Sequence, residues 1–400
     1  MDLSCIIGMR DNAVVPIIEQ HVKRLLSLLL PVTNWRVPVS LLRGSARSSG
    51  HPVTLLTAGN PRVSDYIALR LFEEEPEIEP VGQIPLWKLA KTLDRLQASA
   101  DLAVVGVDRH TARCFFDRSW LASPAWIASW MPVPVDFRTF VRANSRVEGD
   151  VRVVRKHQYE RKVSHSDTDF DAFYDRFYVP YISQRHGTLA HLRPRWSLRR
   201  QFKRGGILWI HRDGERQAGD IIQVNGQTLH RVALGVADGR LDLLQQRALA
   251  ALYVHSIGHA RDVNCTKIFL GGSRSCLYDG VFQYKRKWGA VVCEHPGVNY
   301  RMLLRWKRLE GPVAEFLSHS PVIHYDGPQL SGLWCCPPEV CRSTDLFEKE
   351  IRYTHSPGLR RLRVLLPGDP PPGYVCPPDV ELINLQTHAG SGPEMLNSKD

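Results

Sequence analysis

Between residues 14 and 30 the apolar positions Ile17, Ile18, Val22, Leu25, Leu26 and Leu29 recur at helical spacing, which predicts an amphipathic helix ended near Pro31, packed on a core or, with only the basic pair Lys23 and Arg24 in support, laid on a membrane. Residues 52–58 then read as a strand, 63–72 as a helix, 86–96 as a second helix and 103–107 as a short buried strand. The acidic run Glu73, Glu74, Glu75, Glu77 and Glu79, broken by prolines, reads as a solvated connection. Pro124, Pro132 and Pro134 punctuate a passage containing Trp120, Trp126 and Trp130, whose rings suit a sealed surface between domains, and a domain boundary is expected there.

The second half of the pattern is richer. A short helix is expected over 137–146 and a strand over 158–163. Asp167 or Thr168 can cap a longer helix with Phe170, Phe173, Phe177 and Tyr181 along one side, and Pro180 inside that run predicts a kink. The period then changes to two. Strands are predicted over 206–211 and 217–224, turned by Asp213-Gly214, and the Asn225-Gly226 hairpin returns the chain as a strand over 228–236. Asp242 opens a helix over 243–257; a strand over 267–270, a Gly271-Gly272-Ser273 loop, a helix around 278–285 and a strand over 290–293 follow. These alternations predict a layered α/β domain. Beyond Pro321 the chain is rich in Pro and Gly with short strand-like runs such as 361–366, and residues 391–400 read as a disordered tail.

Composition narrows the class. The 400 residues are 43% hydrophobic and 23% charged, globular values that allow two or three domains. The excess of 52 Lys and Arg over 41 Asp and Glu gives a formal charge of +11, which favours a polyanionic partner such as RNA or a phosphorylated substrate. The first ten residues make a poor signal peptide and Leu26 to Val32 is too short to span a bilayer, so a cytoplasmic protein without stable membrane insertion is expected. Nine unevenly spaced cysteines do not form a secreted disulfide framework.

Candidate chemistry lies in two basic passages. Arg185, Arg193, Arg195, Arg199, Arg200, Lys203 and Arg204 crowd a stretch with no acidic residue, and Trp196 among them can stack on a base; an RNA or phosphate contact and a solvated face both account for it. Arg305 and Lys307 belong to a second basic concentration. Lys285, flanked by Phe282 and Trp288, can bury its stem and turn its amine towards Gly271-Gly272-Ser273, where an ammonium would stabilise a developing oxyanion. Ser273 is not set in a nucleophile elbow. Asp220, Asp279 and His255 are candidate bases, each with an ordinary structural alternative. Cys335, Cys336, Cys341 and Cys376 do not fit a zinc-ligand spacing, so they read as buried small hydrophobes and no metal is expected. A dinucleotide fingerprint, a phosphate-binding Lys-Ser/Thr loop and a His-Glu-x-x-His helix are all missing, which leaves nucleotide-driven and zinc-protease chemistry without support.

The helix bearing Phe173, Phe177, Tyr181 and Arg185, the Asp220-Ile221-Ile222 strand and hairpin, Gly271-Gly272-Ser273, and Asp279-Gly280 through Phe282, Lys285 and Trp288-Gly289 together resemble the second half of the Fem-type aminoacyltransferases of the GNAT superfamily. The resemblance covers about residues 137–292. It implies tandem GNAT-like domains with mixed sheets flanked by helices: a degenerate first domain over 1–133, a better-defined acyltransferase domain over 134–320, and an extension over 321–390. It also implies an enzyme, without a cofactor, that forms an amide by transferring an aminoacyl group from aminoacyl-tRNA to an amine. The resemblance places Lys285 near the reacting ester and Arg185 near the acceptor and its phosphate, with Asp220 and Asp279, read from the residues alone, as the catalytic candidates beside Lys285. Arg185, Tyr181, Phe177, Ser273 and Tyr284 then contact substrate, and Arg193, Arg195, Trp196, Arg199, Arg200, Lys203, Arg204, Arg305 and Lys307 contact tRNA. The long helical arm of the family's peptidoglycan-building members has no counterpart here, which favours a small-molecule or peptide amine as acceptor. Acyl-CoA is the rival donor, but the passage Gly235 to Asp242 lacks the usual pyrophosphate-loop spacing and places two carboxylates near the expected anion. A non-catalytic RNA-binding protein is the remaining alternative.

Overall fold

The computed structural model describes residues 36–187, 190–387, 392, 393 and 396. The helix expected over 14–30 and most of the tail expected over 391–400 lie outside them. Mixed sheets flanked by helices are present, and the described residues divide into two compact units: 36–125 with 299–315, and 126–298 with 316–387.

The first unit runs β1 (Arg36–Ser45), β2 (Pro52–Gly59), α1 (Pro61–Leu71), β3 (Glu77–Pro85), α2 (Leu86–Leu96), β4 (Leu102–Asp108), α3 (Arg109–Phe115) and β5 (Leu121–Pro124). Asn60 caps α1 by accepting from the Arg62 amide, and Pro61 occupies the first turn, where its missing N–H costs nothing. β4 is buried along its whole length, as its unbroken apolar run requires. The acidic passage is not a simple connection. Glu77 and Glu79 sit on β3, an exposed edge strand paired antiparallel with β1, where charge and Pro80 discourage further strand pairing.

The second unit opens on β6 (Trp126–Pro132), so the division falls at 125/126 rather than 133/134: the Trp-rich passage is a strand paired with two others. Then come α4 (Phe137–Arg142), α5 (Ser145–Lys156), β7 (Glu160–Ser164), α6 (Asp167–Phe173), a π-helical turn (Tyr174–Tyr178), α7 (Val179–His186), α8 (Arg195–Phe202), β8 (Gly206–Arg212), β9 (Glu215–Asn225), β10 (Thr228–Val236), α9 (Leu241–Gln245), α10 (Ala248–Asp262), β11 (Lys267–Arg274), α11 (Gly280–Lys287) and β12 (Val291–Glu294). The expected helix over 243–257 is two helices, parted by Arg247 in a left-handed conformation. The sheet order is β12-β6-β11-β10-β9-β8-β7.

β13 (Tyr300–Trp306) returns to the first unit, between β4 and β5, to complete a sheet of order β3-β1-β2-β4-β13-β5. Residues after 316 rejoin the second unit as β14 (Val322–Asp326), β15 (Gln329–Cys335), α12 (Pro338–Cys341), α13 (Thr344–Thr354), β16 (Leu362–Leu366) and β17 (Val380–Asn384). The expected Pro/Gly-rich extension is therefore a four-stranded sheet whose core shares Leu277 and Phe282 with the region around α11.

The kink expected at Pro180 takes the form of the π turn just before it. Proline supplies no N–H and crowds the carbonyl four residues back, and the wider turn lets the Val179 amide bond to the Tyr174 carbonyl instead. The turn packs closely on β10: a Cβ on Gly235 would lie 2.4 Å from the Phe177 carbonyl carbon. Gly235→Ala is expected to destabilise the second unit by about 1–3 kcal/mol, seen as a lower denaturant midpoint, because backbone cannot yield as a side chain can.

Candidate functional site

β10 and β11 are the parallel pair at the centre of the second unit's large sheet, yet they pair only through Thr228–His230 and Lys267–Phe269. Both are irregular just beyond, β10 between Arg231 and Ala233 and β11 between Phe269 and Gly272. They then part, β10 following β9 to Val236 and β11 following β6 to Arg274. Gly271-Gly272-Ser273 is thus the distal part of a strand rather than a loop, with Gly271 at a positive φ of 70° that favours glycine.

Where the ladder opens, the carbonyl oxygens of Gly271 and Gly272 accept from Lys285 Nζ at 2.8 and 2.7 Å. α11 brings the lysine there. Asp279 caps the helix by accepting from the Phe282 amide, and Phe282 and Trp288, three residues to either side of Lys285, are fully buried and anchor its inner face. Lys285 itself is 5% exposed. Burial pulls its pKa down to about 7, with the Asp279 carboxylate opposing and the Arg231 guanidinium adding to the fall. It is therefore an amine that both holds and releases a proton near neutrality.

Beside it, on the sheet face covered by α10, Arg231 of β10 donates to Asp220 of β9 in a fully buried ion pair. The Arg231 guanidinium lies 4.1 Å from the Tyr253 ring centroid, and Tyr253 stacks on Trp288 at 5.1 Å and meets Tyr284 edge-on at 5.4 Å. Burial pushes the Asp220 carboxyl up to about 6 against the pull of Arg231; at neutral pH the pair remains charged. Burial also raises the phenols of Tyr253, to about 12, and of Tyr284, which keeps both as protonated donors. Arg231 Nη2, Asp220 Oδ1 and Ser273 Oγ are buried without a protein hydrogen-bond partner.

His295 adds a further group. The Gly297 amide donates to its Nδ1 at 3.1 Å, and burial, aided by the cations of Lys285 and Arg193, holds its pKa down to about 4. A neutral ring with Nδ1 accepting carries its proton on Nε2, facing Gly272. Arg193 leaves the basic run to donate from Nη1 to the Val232 carbonyl, inside the irregular stretch of β10, at 3.3 Å.

The other expected residues are distributed differently. Tyr181 is buried close enough to Arg185 and Arg231 to feel both charges, and Arg185 itself is exposed further along α7. Phe177 is a core side chain, edge-on to Trp209 at 4.8 Å. His255 lies on α10, its pKa lowered by burial. The cations of α8 meet a ladder of carboxylates at the same spacing on α6 and the π turn: Arg195 with Asp171 and Asp175, Arg199 with Asp171 and Asp167, Lys203 with Asp167. The neutralising anions are thus the protein's own; Trp196 and Arg200 of α8 and Arg204 just after it are exposed, Trp196 at 69%. Arg305 belongs to the first unit, paired with Asp94 at 2.7 Å and lying over Trp120, and Lys307 is exposed in that unit. At the end of β10, Asp238 pairs with Arg176, and Asp242 in the first turn of α9 pairs with Arg240.

Among the described residues no group of three or more His, Cys, Asp or Glu is placed to hold a metal, and no helix is long and apolar enough to cross a membrane.

No protein-family model and no curated protein matches the chain. Solved structures to which it is similar include FemX, at 10% identity and a TM-score of 0.36 over 66% of this chain and 83% of that one. L-PGS from Bacillus licheniformis matches at 11% identity and a TM-score of 0.34, over 65% and 82% of the two chains. A GCN5-related N-acetyltransferase from Sphaerobacter thermophilus matches at 13% identity and a TM-score of 0.32, over 63% and 72%. Likenesses at this level carry no argument about activity, which rests on the chain's own geometry.

Proposed function

We propose that this protein is an acyltransferase that forms an amide by moving an aminoacyl group from aminoacyl-tRNA to the amine of a small molecule or peptide. The observation that carries the reading is Lys285: an ammonium buried at the parting of β10 and β11, held by the Gly271 and Gly272 carbonyls beyond the last β10–β11 ladder pair.

An aminoacyl ester is already activated, so the reaction needs positioning and charge stabilisation rather than a covalent enzyme intermediate. The neutral amine attacks the ester carbonyl carbon, a C–N bond forms, and negative charge grows on the carbonyl oxygen. Lys285 supplies positive charge to that oxygen, and the Nε2–H of His295 supplies a neutral donor. As the C–O bond breaks, the departing ribose oxygen takes up a proton equivalent to the one the amine gave up. With a pKa near 7, Lys285 is the group suited to pass it on. The Asp220–Arg231 pair and Tyr253 set the wall against which α11 is held, and Asp279 acts by capping that helix. Arg185, exposed on α7 one turn beyond Tyr181, is available to an anionic group of the acceptor. Trp196, 69% exposed, offers a ring on which a nucleic-acid base can stack.

The acyl-CoA reading is less well supported. A pyrophosphate would need free helix N–H groups in a Gly-rich loop at the start of α9, whereas the passage Gly235 to Asp242 lacks that spacing and holds the Asp238–Arg176 and Asp242–Arg240 pairs. The deciding assay offers purified protein charged tRNA or a panel of acyl-CoAs, each with candidate amines. Transfer from charged tRNA that stops on ribonuclease treatment is expected. Transfer from acyl-CoA alone would overturn the tRNA assignment while leaving acyl transfer intact. Binding of the tRNA is expected to weaken steeply with salt, since phosphate contacts release counterions.

A further inference from the structure

The thiols of Cys336 and Cys341 are not used in the transfer reading, yet their sulfurs lie 2.8 Å apart. Both backbones are fixed. The Cys336 amide donates to the Leu365 carbonyl at 2.9 Å, just past the end of β15 and beside β16, and the Cys341 amide donates to the Pro337 carbonyl at 3.1 Å, closing the single turn of α12. Pro337 and Pro338 between them have restricted φ, which removes much of the freedom that would otherwise separate the two thiols. A disulfide needs sulfurs about 2.05 Å apart, so the pair has only a small distance to close. Cys376 is engaged elsewhere, with the Val380 carbonyl at 3.1 Å, and among the described residues no third ligand joins the pair to make a metal site.

We propose that Cys336 and Cys341 are a reversible disulfide-forming pair that exchanges with glutathione disulfide. Cys341, half-buried, is the thiol of entry, and Cys336, almost fully buried, is the resolving thiol. The hydrogen bond that the two thiols share holds Cys341 below its usual range, which favours the nucleophilic thiolate at the accessible end. The Cys341 thiolate attacks one sulfur of glutathione disulfide, breaking its S–S bond and releasing one glutathione. Cys336 gives up its proton and attacks the Cys341 sulfur of the mixed disulfide, forming the protein disulfide and releasing the second glutathione. Two protein thiols are oxidised, one glutathione disulfide is reduced to two thiols, and no other reactant is needed. The bond would tie α12 to the end of β15, within the cluster formed by Trp334, Cys336 and Phe347. This site is independent of the transfer reading.

The test equilibrates the whole protein in glutathione buffers of graded oxidised-to-reduced ratio, quenches with acid, alkylates free thiols and maps the peptides. A single intramolecular link between Cys336 and Cys341 is expected, with two fewer alkylations than in the reduced protein. The oxidised protein is expected to melt at a higher temperature than the reduced one. Cys341→Ser, at a half-buried position that tolerates the change, is expected to abolish both the link and the melting difference; Cys336→Ala is a second check. Full alkylation of both cysteines at a ratio that already glutathionylates the exposed Cys114 would overturn the proposal. A link from Cys335 or Cys376 instead would also overturn it.

Discussion

Lys285→Met lowers the rate of aminoacyl transfer by about 10²–10³-fold, with a much smaller change in KM, because one preorganised donor to a developing oxyanion contributes on that scale. The wild-type rate is expected to fall as pH rises through about 7, where the buried ammonium loses its proton. Lys285→Arg, charged throughout that range, loses the falling limb even where its longer fork lowers the rate. A stability measurement separates charge from packing. The folded pKa of about 7 lies below the ordinary 10.5, so the unfolded chain binds the extra proton between those values. Stability therefore rises with pH across that window in the wild type. Denaturant midpoints taken from pH 7 towards 10 should shift in favour of the wild type relative to Lys285→Met.

Asp220→Ala is expected to cost about 3–5 kcal/mol of stability, because it leaves the Arg231 guanidinium buried without its partner. Replacing both residues with apolar side chains of similar volume, Asp220→Leu with Arg231→Met, should recover most of that loss, since two desolvated charges are removed together. Denaturant unfolding of the two single variants and the double variant checks this. Recovery of stability without recovery of transfer would place the pair in positioning the site as well as in the fold. The pH dependence has its own sign. With the Asp220 carboxyl raised from 3.8 to about 6, the folded state keeps a proton the unfolded chain has lost, so this group's contribution to stability declines as pH rises across that window.

Local chemistry made some of this legible in the sequence. The Asn225-Gly226 turn joins β9 to β10, and the aromatic spacing from Phe170 to Tyr181 follows the inner side of α6, the π turn and α7. Other features depend on partners distant in the chain. Nothing local tells Trp126–Pro132 that it will lie between β11 and β12, and Tyr300–Trp306 is recruited back to β4 across almost two hundred residues. Other elements carry local signals of their own. Val147, Val151 and Val154 follow an Asn144 cap at helical spacing and mark α5. Asp167, Asp171 and Asp175 recur every four residues just before the cations at 195, 199 and 203, a pattern that foretells their pairing. Arg231 occupies an inward position two residues from buried Leu229, and Asp220 lies inward on the adjoining strand; two such charges on neighbouring strands require each other. Lys285 stood out through resemblance to a family, and its geometry adds the two carbonyls and the burial. His295 had no local signal: its place depends on the tautomer set by Gly297 and on the parting of β10 and β11.

Amide formation is tested most directly by mass spectrometry of the product. Purified protein is incubated with charged tRNA and an amine panel, in parallel with Lys285→Met, and the amines are examined for the added mass of the aminoacyl group. The predicted result is an amide-linked product made by the wild type and reduced at least about 100-fold in the variant. An RNA-binding protein that yields no product from charged tRNA or from any acyl-CoA, or a Lys285→Met variant that forms product at the wild-type rate, would contradict it.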